Sequence, residues 1–173
     1  MADTSDPFLA AASSPTFLSR LRVLALVLVP LAAILFQVYV PLFFPFLAYL
    51  EMPLLVTVYY SLVWGRPVRA TFYGAAIGIT QDSLSENPLG MFGITKTLVG
   101  YFTAAVAQRF DVDNAFIRFA MAFFLFFFHQ FFYWVLSDAL LGLQMEFDAA
   151  RTILSGALNA VVSIPLFRIL DKL

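Results

Sequence analysis

The sequence predicts an all-α polytopic membrane protein with six transmembrane helices. Of its 173 residues, 62% are hydrophobic and only 12% are charged, and the mean hydropathy is +0.89. A soluble domain carries about a quarter of charged residues, so a chain with half that fraction must turn much of its surface toward lipid. Cysteine is absent, which excludes disulfides and thiolate metal sites. No basic run indicates binding to nucleic acid.

Six apolar segments separated by turn signals form the predicted helices. They run from about 21 to 43, 51 to 64, 68 to 83, 92 to 109, 115 to 136 and 150 to 170. Residues 1–19 are small and polar, with an acidic start unlike that of a signal peptide. They predict a flexible cytoplasmic tail ahead of a membrane domain at 20–173. Pro165 is expected to kink or to end the last helix.

The distribution of lysine and arginine predicts the orientation in the membrane. With the N-terminus in the cytoplasm, the basic residues at the inner ends of the helices are Arg20, Arg22, Arg66, Arg69, Arg109, Arg118, Arg168 and Lys172. Those at the outer ends are Lys96 and Arg151. Both termini are therefore predicted to be cytoplasmic. The acidic residues then predicted on the outer side are Glu51, Asp82, Glu86, Asp138, Glu146 and Asp148.

Small residues mark one face of the third helix. Ala70, Gly74, Gly78 and Asp82 recur at a spacing of four, which places them along one side. In lipid, such residues let two helix backbones approach closely. The face is either a docking surface for a partner helix or ligand, tipped by the Asp82 carboxylate, or ordinary internal packing in which Asp82 caps the loop. Small-residue stripes are frequent in membrane helices, so the pattern alone favours internal packing.

A short polar loop follows the third helix. Gln81 and Asp82 end that helix, and Pro88 and Gly90 lie within the next eight residues. Proline and glycine are turn formers, each through its restricted or permissive backbone. The loop therefore predicts a tight reversal of the chain, and these four residues join the candidates for partner binding.

The fourth helix carries a second set of small residues. Gly93 and Gly100 lie seven apart and share a face, so the third and fourth helices are predicted to pack closely as a hairpin. Lys96 lies within a turn of the loop. It is expected to pair with Asp82 or Glu86, or to extend outward to the lipid headgroups.

The fifth and sixth helices carry polar residues at membrane depth. His129, Tyr133 and Ser137 form a stripe at a spacing of four, Gln130 lies beside it, and Asn159 is central in the sixth helix. An unpaired amide in hydrocarbon is costly, so His129, Gln130 and Asn159 are expected to meet as structural glue or as the floor of an outward-facing pocket. His129 is a proton-relay candidate or a neutral imidazole bonded to Tyr133 or a neighbouring helix. A lone histidine favours the second.

The ordered motifs of the third and fourth helices resemble a known family. They are Gly78-Ile79-Thr80-Gln81-Asp82-Ser83-Leu84, then Pro88-Leu89-Gly90, then Leu98-Val99-Gly100-Tyr101. This order is similar to that of the rod shape-determining MreD family, in which Gly-x-x-x-Asp, a Pro-Leu-Gly turn and Leu-x-Gly-Tyr succeed one another. The loop departs from the family at Ser85-Glu86-Asn87, where small residues and glycine are usual.

The resemblance implies a non-enzymatic component of the elongation machinery in the bacterial cytoplasmic membrane. Proteins of this family partner MreC, a bitopic protein, and with it link MreB to the peptidoglycan synthases RodA and PBP2. The resemblance also implies a fold similar to the six-helix substrate-binding subunits of energy-coupling-factor vitamin transporters. A small-molecule-binding subunit of a membrane transporter is the alternative function. Neither a catalytic residue, a cofactor nor a metal ligand is predicted, and the oligomeric state stays open.

Overall fold

The residues that the structure describes form a bundle of six α-helices. The computed structural model describes residues 17–85, 88–142 and 148–172, with side-chain surroundings from residue 23 onward. The helices are α1 (Phe17–Tyr39), α2 (Met52–Trp64), α3 (Pro67–Leu84), α4 (Met91–Ala107), α5 (Ala115–Leu141) and α6 (Ala149–Leu170). Two 3-10 turns, Val40–Leu42 and Pro45–Tyr49, join α1 to α2. The predicted all-α class is confirmed. Most of the predicted tail lies outside the described residues, and α1 already begins at Phe17.

Within the part of the chain that the structure describes, four segments are long and apolar enough to cross a membrane. They are Val23–Leu42, Pro45–Trp64, Ala115–Leu141 and Ala149–Leu170. The chain is therefore a multi-pass membrane protein. The helix α4 is apolar but has only 17 residues, and α3 places Gly, Thr, Gln and Asp among its 18 residues. The helices α3 and α4 pack most extensively on each other.

The central helix is α2. Every residue of Pro53–Leu62 is buried, and α2 contacts each of the other five α-helices. A helix that is apolar on all sides belongs in an interior. Its two buried hydroxyls are satisfied within the helix, because Thr57 donates to the Pro53 carbonyl oxygen and Ser61 to the Thr57 carbonyl oxygen.

Two prolines interrupt the hydrogen-bond ladders of α1 and α6. Pro30 has no N–H to donate, which leaves the Leu26 carbonyl without its helical partner. The Tyr73 hydroxyl of α3 donates to that carbonyl oxygen at 2.9 Å, so the defect becomes a bond between α1 and α3. Pro165 lies inside α6, which continues to Leu170. The expectation that Pro165 ends the helix is wrong, and a proline kink stays a prediction.

Polar contacts join the helix termini at one end of the bundle. Arg118 of α5 forms an ion pair with Asp171 after α6, and the Tyr59 hydroxyl of α2 donates to the same carboxylate at 3.1 Å. The Gln108 side chain after α4 donates to the Gly65 carbonyl oxygen at 2.9 Å. The C-terminal ends of α2, α4 and α6 therefore meet at what we call the Arg118 end.

Candidate functional site

The helices α3 and α4 approach until their backbones touch. A Cβ built on three glycines would meet a backbone carbonyl oxygen of the facing helix: Gly78 that of Phe92 at 2.2 Å, Gly74 that of Lys96 at 2.2 Å, and Gly100 that of Ala70 at 2.3 Å. No side chain has room at these points. The predicted close hairpin is present, and its small residues face each other inside the chain.

Asp82 binds the N-terminus of α4 from the last turn of α3. Its buried carboxylate accepts hydrogen bonds from the backbone N–H groups of Gly90 at 2.9 Å, Phe92 at 3.1 Å and Gly93 at 3.0 Å. The first amides of a helix have no partners within it, and the helix dipole favours an anion there. Gly90 adopts φ +98°, a conformation that suits glycine, and so turns the chain into α4. Pro88 lies exposed just before this turn.

Lys96 lies in the interior of the bundle and is fully buried. Its Nζ is 3.4 Å from Nε2 of His129 on α5 and 4.2 Å from the centre of the Phe92 ring. Glu51 at the start of α2 and Asp82 on α3 both interact with it electrostatically. Four helices thus surround one buried amine with two carboxylates, an imidazole and an aromatic face.

The expectation that Lys96 extends outward to the headgroups is wrong. No ion pair shorter than 4 Å joins Lys96 to Asp82, whose oxygens are occupied by backbone amides. The other expected partner, Glu86, lies outside the described residues. One sequence signal does indicate the interior: Lys96 follows Gly93 by three residues and precedes Gly100 by four, so it shares their packed face.

His129 is bonded to a neighbouring helix, as one of its two interpretations proposed. With Lys96 as an ammonium group, which has only donors, Lys96 donates to Nε2 and the imidazole proton is assigned to Nδ1. The ring stacks on Phe92 at 5.9 Å and on Tyr133 at 6.4 Å between centroids. Its Nδ1 is buried without a hydrogen-bond partner, as is Oε1 of Gln81.

Asn159 connects α6 to the start of α2. Its Oδ1 accepts from the Glu51 N–H at 2.8 Å, and its Nδ2 donates to the carbonyl oxygens of Tyr49 and Ser155, each at 2.8 Å. Both N–H donors and the carbonyl oxygen of the amide are bonded, so a fully buried polar side chain is satisfied. Asn159 lies ten residues into α6, roughly 15 Å from the N-terminus of that helix. These hydrogen bonds therefore hold the backbone of Glu51 at that depth.

No hydrogen bond joins His129, Gln130 and Asn159, so the expected single cluster is not formed. His129 belongs to the Lys96 group, and Asn159 is bonded to the start of α2. Gln130 lines a separate polar cleft between the 3-10 turn Pro45–Tyr49, α5 and α6. The sequence analysis missed the role of Gln37, whose Oε1 accepts from the Met52 N–H at 3.2 Å and completes the cap of α2. A glutamine late in an apolar helix is the signal that would have found it.

The buried Lys96 and the partly buried Glu51 interact electrostatically and are expected to be energetically coupled. Removing one of two opposite charges that interact inside the bundle leaves the other less compensated, so Lys96→Met is expected to lower the free energy of unfolding by about 3 kcal/mol. Adding Glu51→Gln should restore part of that loss. The double-mutant cycle, with unfolding free energies measured in detergent, should give a coupling energy of about 1–3 kcal/mol. Asp138→Asn, at an exposed site, is the matched control and should add independently. Additivity of Lys96→Met with Glu51→Gln would contradict the coupling.

The fold and this site define a class: a multi-pass helical membrane protein whose polar centre lies inside the bundle. Within the described ranges, no three His, Asp or Glu side chains converge to hold a metal ion. A family model, rod shape-determining protein MreD, matches residues 18–173, and the chain belongs to that family. It is a rod shape-determining membrane protein. No curated protein and no solved structure matches the chain. The resemblance at residues 78–101 is thereby confirmed.

Proposed function

We propose that the chain is a non-enzymatic component of the bacterial elongation machinery that binds an MreC-type bitopic protein. With that partner it links MreB to the peptidoglycan synthases RodA and PBP2. The observation that carries the proposal is the family match, which extends over residues 18–173. The packing of α3 on α4 supports it, because a rigid pair of helices suits a protein that positions others.

The proposed location is the bacterial inner membrane, with both termini in the cytoplasm. Eight of the ten basic residues lie at the predicted inner ends. Burial of Lys96 removes it from the outer flank, which leaves Arg151 as the basic residue there. The positive-inside rule therefore favours a cytoplasmic Arg118 end more strongly than the sequence count did.

The proposed surface for the partner helix is a groove of about 280 Å³ along α3 and α4. Its lining residues are Ile79, Gly90, Gly93, Ile94, Thr97 and Leu98. Glycine next to exposed branched side chains is the composition that lets a second helix approach in lipid. Of the predicted docking residues, Gly90 and Gly93 line this groove, whereas Ala70, Gly74, Gly78 and Gly100 are covered within the chain.

Cysteine cross-linking tests this surface, since the chain has no cysteine of its own. Ile94→Cys is expected to form a disulfide with a cysteine placed in the transmembrane helix of the MreC-type partner. Phe124→Cys on α5 is the matched control, because Phe124 is 69% exposed and Ile94 45% exposed. Cross-linking at position 124 but not at position 94 would show that the partner helix binds α5 rather than the groove of α3 and α4. Failure to copurify with any MreC-type protein would remove the proposed partner.

The polar cleft favours one second candidate, a small-molecule-binding subunit of a transporter. Its volume of about 320 Å³ lies at the lower end of the range for ligand pockets. A tagged pull-down from membranes separates the two candidates. Recovery of an ATPase pair without an MreC-type protein would favour the transporter subunit.

A further inference from the structure

A charged cleft opens where the 3-10 turn Pro45–Tyr49, α5 and α6 come together. It has a volume of about 320 Å³ and includes Glu51, Asp148 and Arg151 among its lining residues. The exposed Asp148 caps α6 by accepting from the Arg151 N–H at 3.0 Å. The Arg151 guanidinium lies over the Tyr49 ring, 4.9 Å from its centre. The cleft therefore presents one cation and two anions to an occupant.

The Glu51 carboxylate is the group of this cleft that has a buried oxygen without a hydrogen-bond donor. Its Oε2 is buried and has no hydrogen-bond partner, although Lys96 interacts with the carboxylate electrostatically. The backbone of Glu51 is held by Asn159 at 2.8 Å, so the side chain starts from a fixed position. A buried carboxylate oxygen without a donor is costly. Because Glu51 lines the cleft, an N–H group of an occupant is placed to donate to this carboxylate.

An apolar groove continues from the cleft along α5. Gln130 and Thr152 line both of them. The groove has a volume of about 480 Å³ and is otherwise lined by Phe127, Phe131 and Trp134. An occupant that fills both spaces has a small charged head and an apolar chain, which is the composition of a membrane lipid.

We propose that the cleft and groove bind one glycerophospholipid with a primary-amine headgroup. The ammonium donates to Glu51, the phosphate pairs with Arg151, and an acyl chain lies along Phe127 and Trp134. An anionic glycerol headgroup would bring its phosphate near Glu51 and Asp148 with no cation of its own. A choline headgroup carries the charge but has no N–H to donate to Glu51. The inference concerns a lipid site and does not depend on the proposed MreC-type partner.

Trp134 is a reporter within the proposed site. The chain has two tryptophans, and the other, Trp64, packs on Tyr73 at 5.0 Å between centroids. In the Trp64→Phe protein, fluorescence comes from Trp134 alone. This protein is reconstituted in phosphatidylcholine vesicles that contain brominated phosphatidylethanolamine, phosphatidylcholine or phosphatidylglycerol at equal mole fractions. Phosphatidylethanolamine is expected to quench Trp134 with an apparent affinity about tenfold above that of phosphatidylcholine, because its ammonium donates to Glu51 whereas choline has no N–H.

Two variants separate the contributions of the headgroup contacts. Glu51→Gln is expected to abolish the preference for phosphatidylethanolamine over phosphatidylcholine. In these vesicles Arg151→Gln should leave the ratio of the two affinities unchanged. When the lipids are titrated into the detergent-solubilised protein, Arg151→Gln should weaken the binding of both about tenfold. Arg168→Gln is the matched control on the same helix at the Arg118 end and should behave as wild type.

Equal quenching by the three lipids in the unsubstituted cleft would overturn the proposal, since it would show only unselective lipid around the protein. Stronger quenching by phosphatidylglycerol would overturn it as well. These comparisons need no cleft variant, so they decide the question even where Glu51→Gln fails to fold. They also need no partner protein, so their failure leaves the proposed elongation function untouched.

Discussion

Gly78→Ala is expected to destabilise the protein by about 3 kcal/mol or more, the upper part of the range for an overpacked interior. A Cβ at this position would lie 2.2 Å from the Phe92 carbonyl oxygen and 2.7 Å from the Gly93 Cα. Backbone atoms cannot rotate away as a side chain does, so α3 and α4 must separate. The separation also pulls the Phe92 and Gly93 amides from Asp82. Thermal melting of the detergent-solubilised protein measures the effect, and Gly78→Leu should be more severe.

The matched control is Gly93→Ala in the same hairpin. A Cβ there would meet the Ile79 Cγ1 at 3.0 Å, and that side chain can shift by a few tenths of an ångström. Its cost is expected to be about 1 kcal/mol. A Gly78→Ala protein that melts with wild-type midpoint would mean that the two backbones do not touch. A Gly78→Ala protein that folds normally but no longer binds its partner would show that Gly78 contacts the partner rather than α4.

Asp82→Asn is expected to cost about 2–3 kcal/mol of unfolding free energy, although the side chain keeps its size. Both carboxylate oxygens accept from backbone amides, at 2.9 Å from Gly90 and 3.1 Å from Phe92. An amide in their place turns an NH₂ group toward at least one N–H donor, which replaces a bond by a repulsion. It also removes the negative charge that the N-terminus of α4 favours.

Asp138→Asn provides the comparison for Asp82→Asn, because Asp138 lies on the exposed surface of α5. It should melt within about 0.5 kcal/mol of wild type. Denaturant unfolding in detergent gives both values. An Asp82→Asn protein as stable as Asp138→Asn would show that the carboxylate is solvated rather than bound to α4. If the Asp82→Asn protein is stable but cells that produce it lose their rod shape, Asp82 has a direct role in partner binding.

The local motifs of the hairpin were predictable because they depend on short-range chemistry. A carboxylate eight residues before a glycine and the turn at Pro88 indicate a cap and a reversal without knowledge of the rest of the chain. The stripe of Ala70, Gly74 and Gly78 likewise predicts close packing. What it does not predict is the occupant, and the structure places α4 of the same chain there. The part of the surface left for a partner is the neighbouring groove around Ile94.

The polar residues of the other helices were less predictable because their partners are distant in sequence. Asn159 and Glu51 are 108 residues apart, and Lys96 and His129 are 33 apart. From the sequence, Glu51 was expected on an acidic outer rim, and Lys96 beside Asp82 or Glu86 or extended to the lipid headgroups. Glu51 lies inward because α2 begins at the depth of Asn159 rather than at the end of α6. Lys96 lies inward because it is on the face of α4 that packs on α3.

By itself the sequence determined the membrane class, the approximate bounds of the six helices and the family, because hydropathy, turn chemistry and an ordered motif are local properties. The hairpin of α3 and α4 belongs to that set as well. Tertiary structure alone decided that Lys96 is buried beside His129 and that a charged cleft lies between α5 and α6. A charged side chain is costly inside the hydrocarbon of a bilayer, so its presence in an apolar segment signals its importance. Only the packing of distant helices determines whether it is satisfied by water, by lipid or by another buried group.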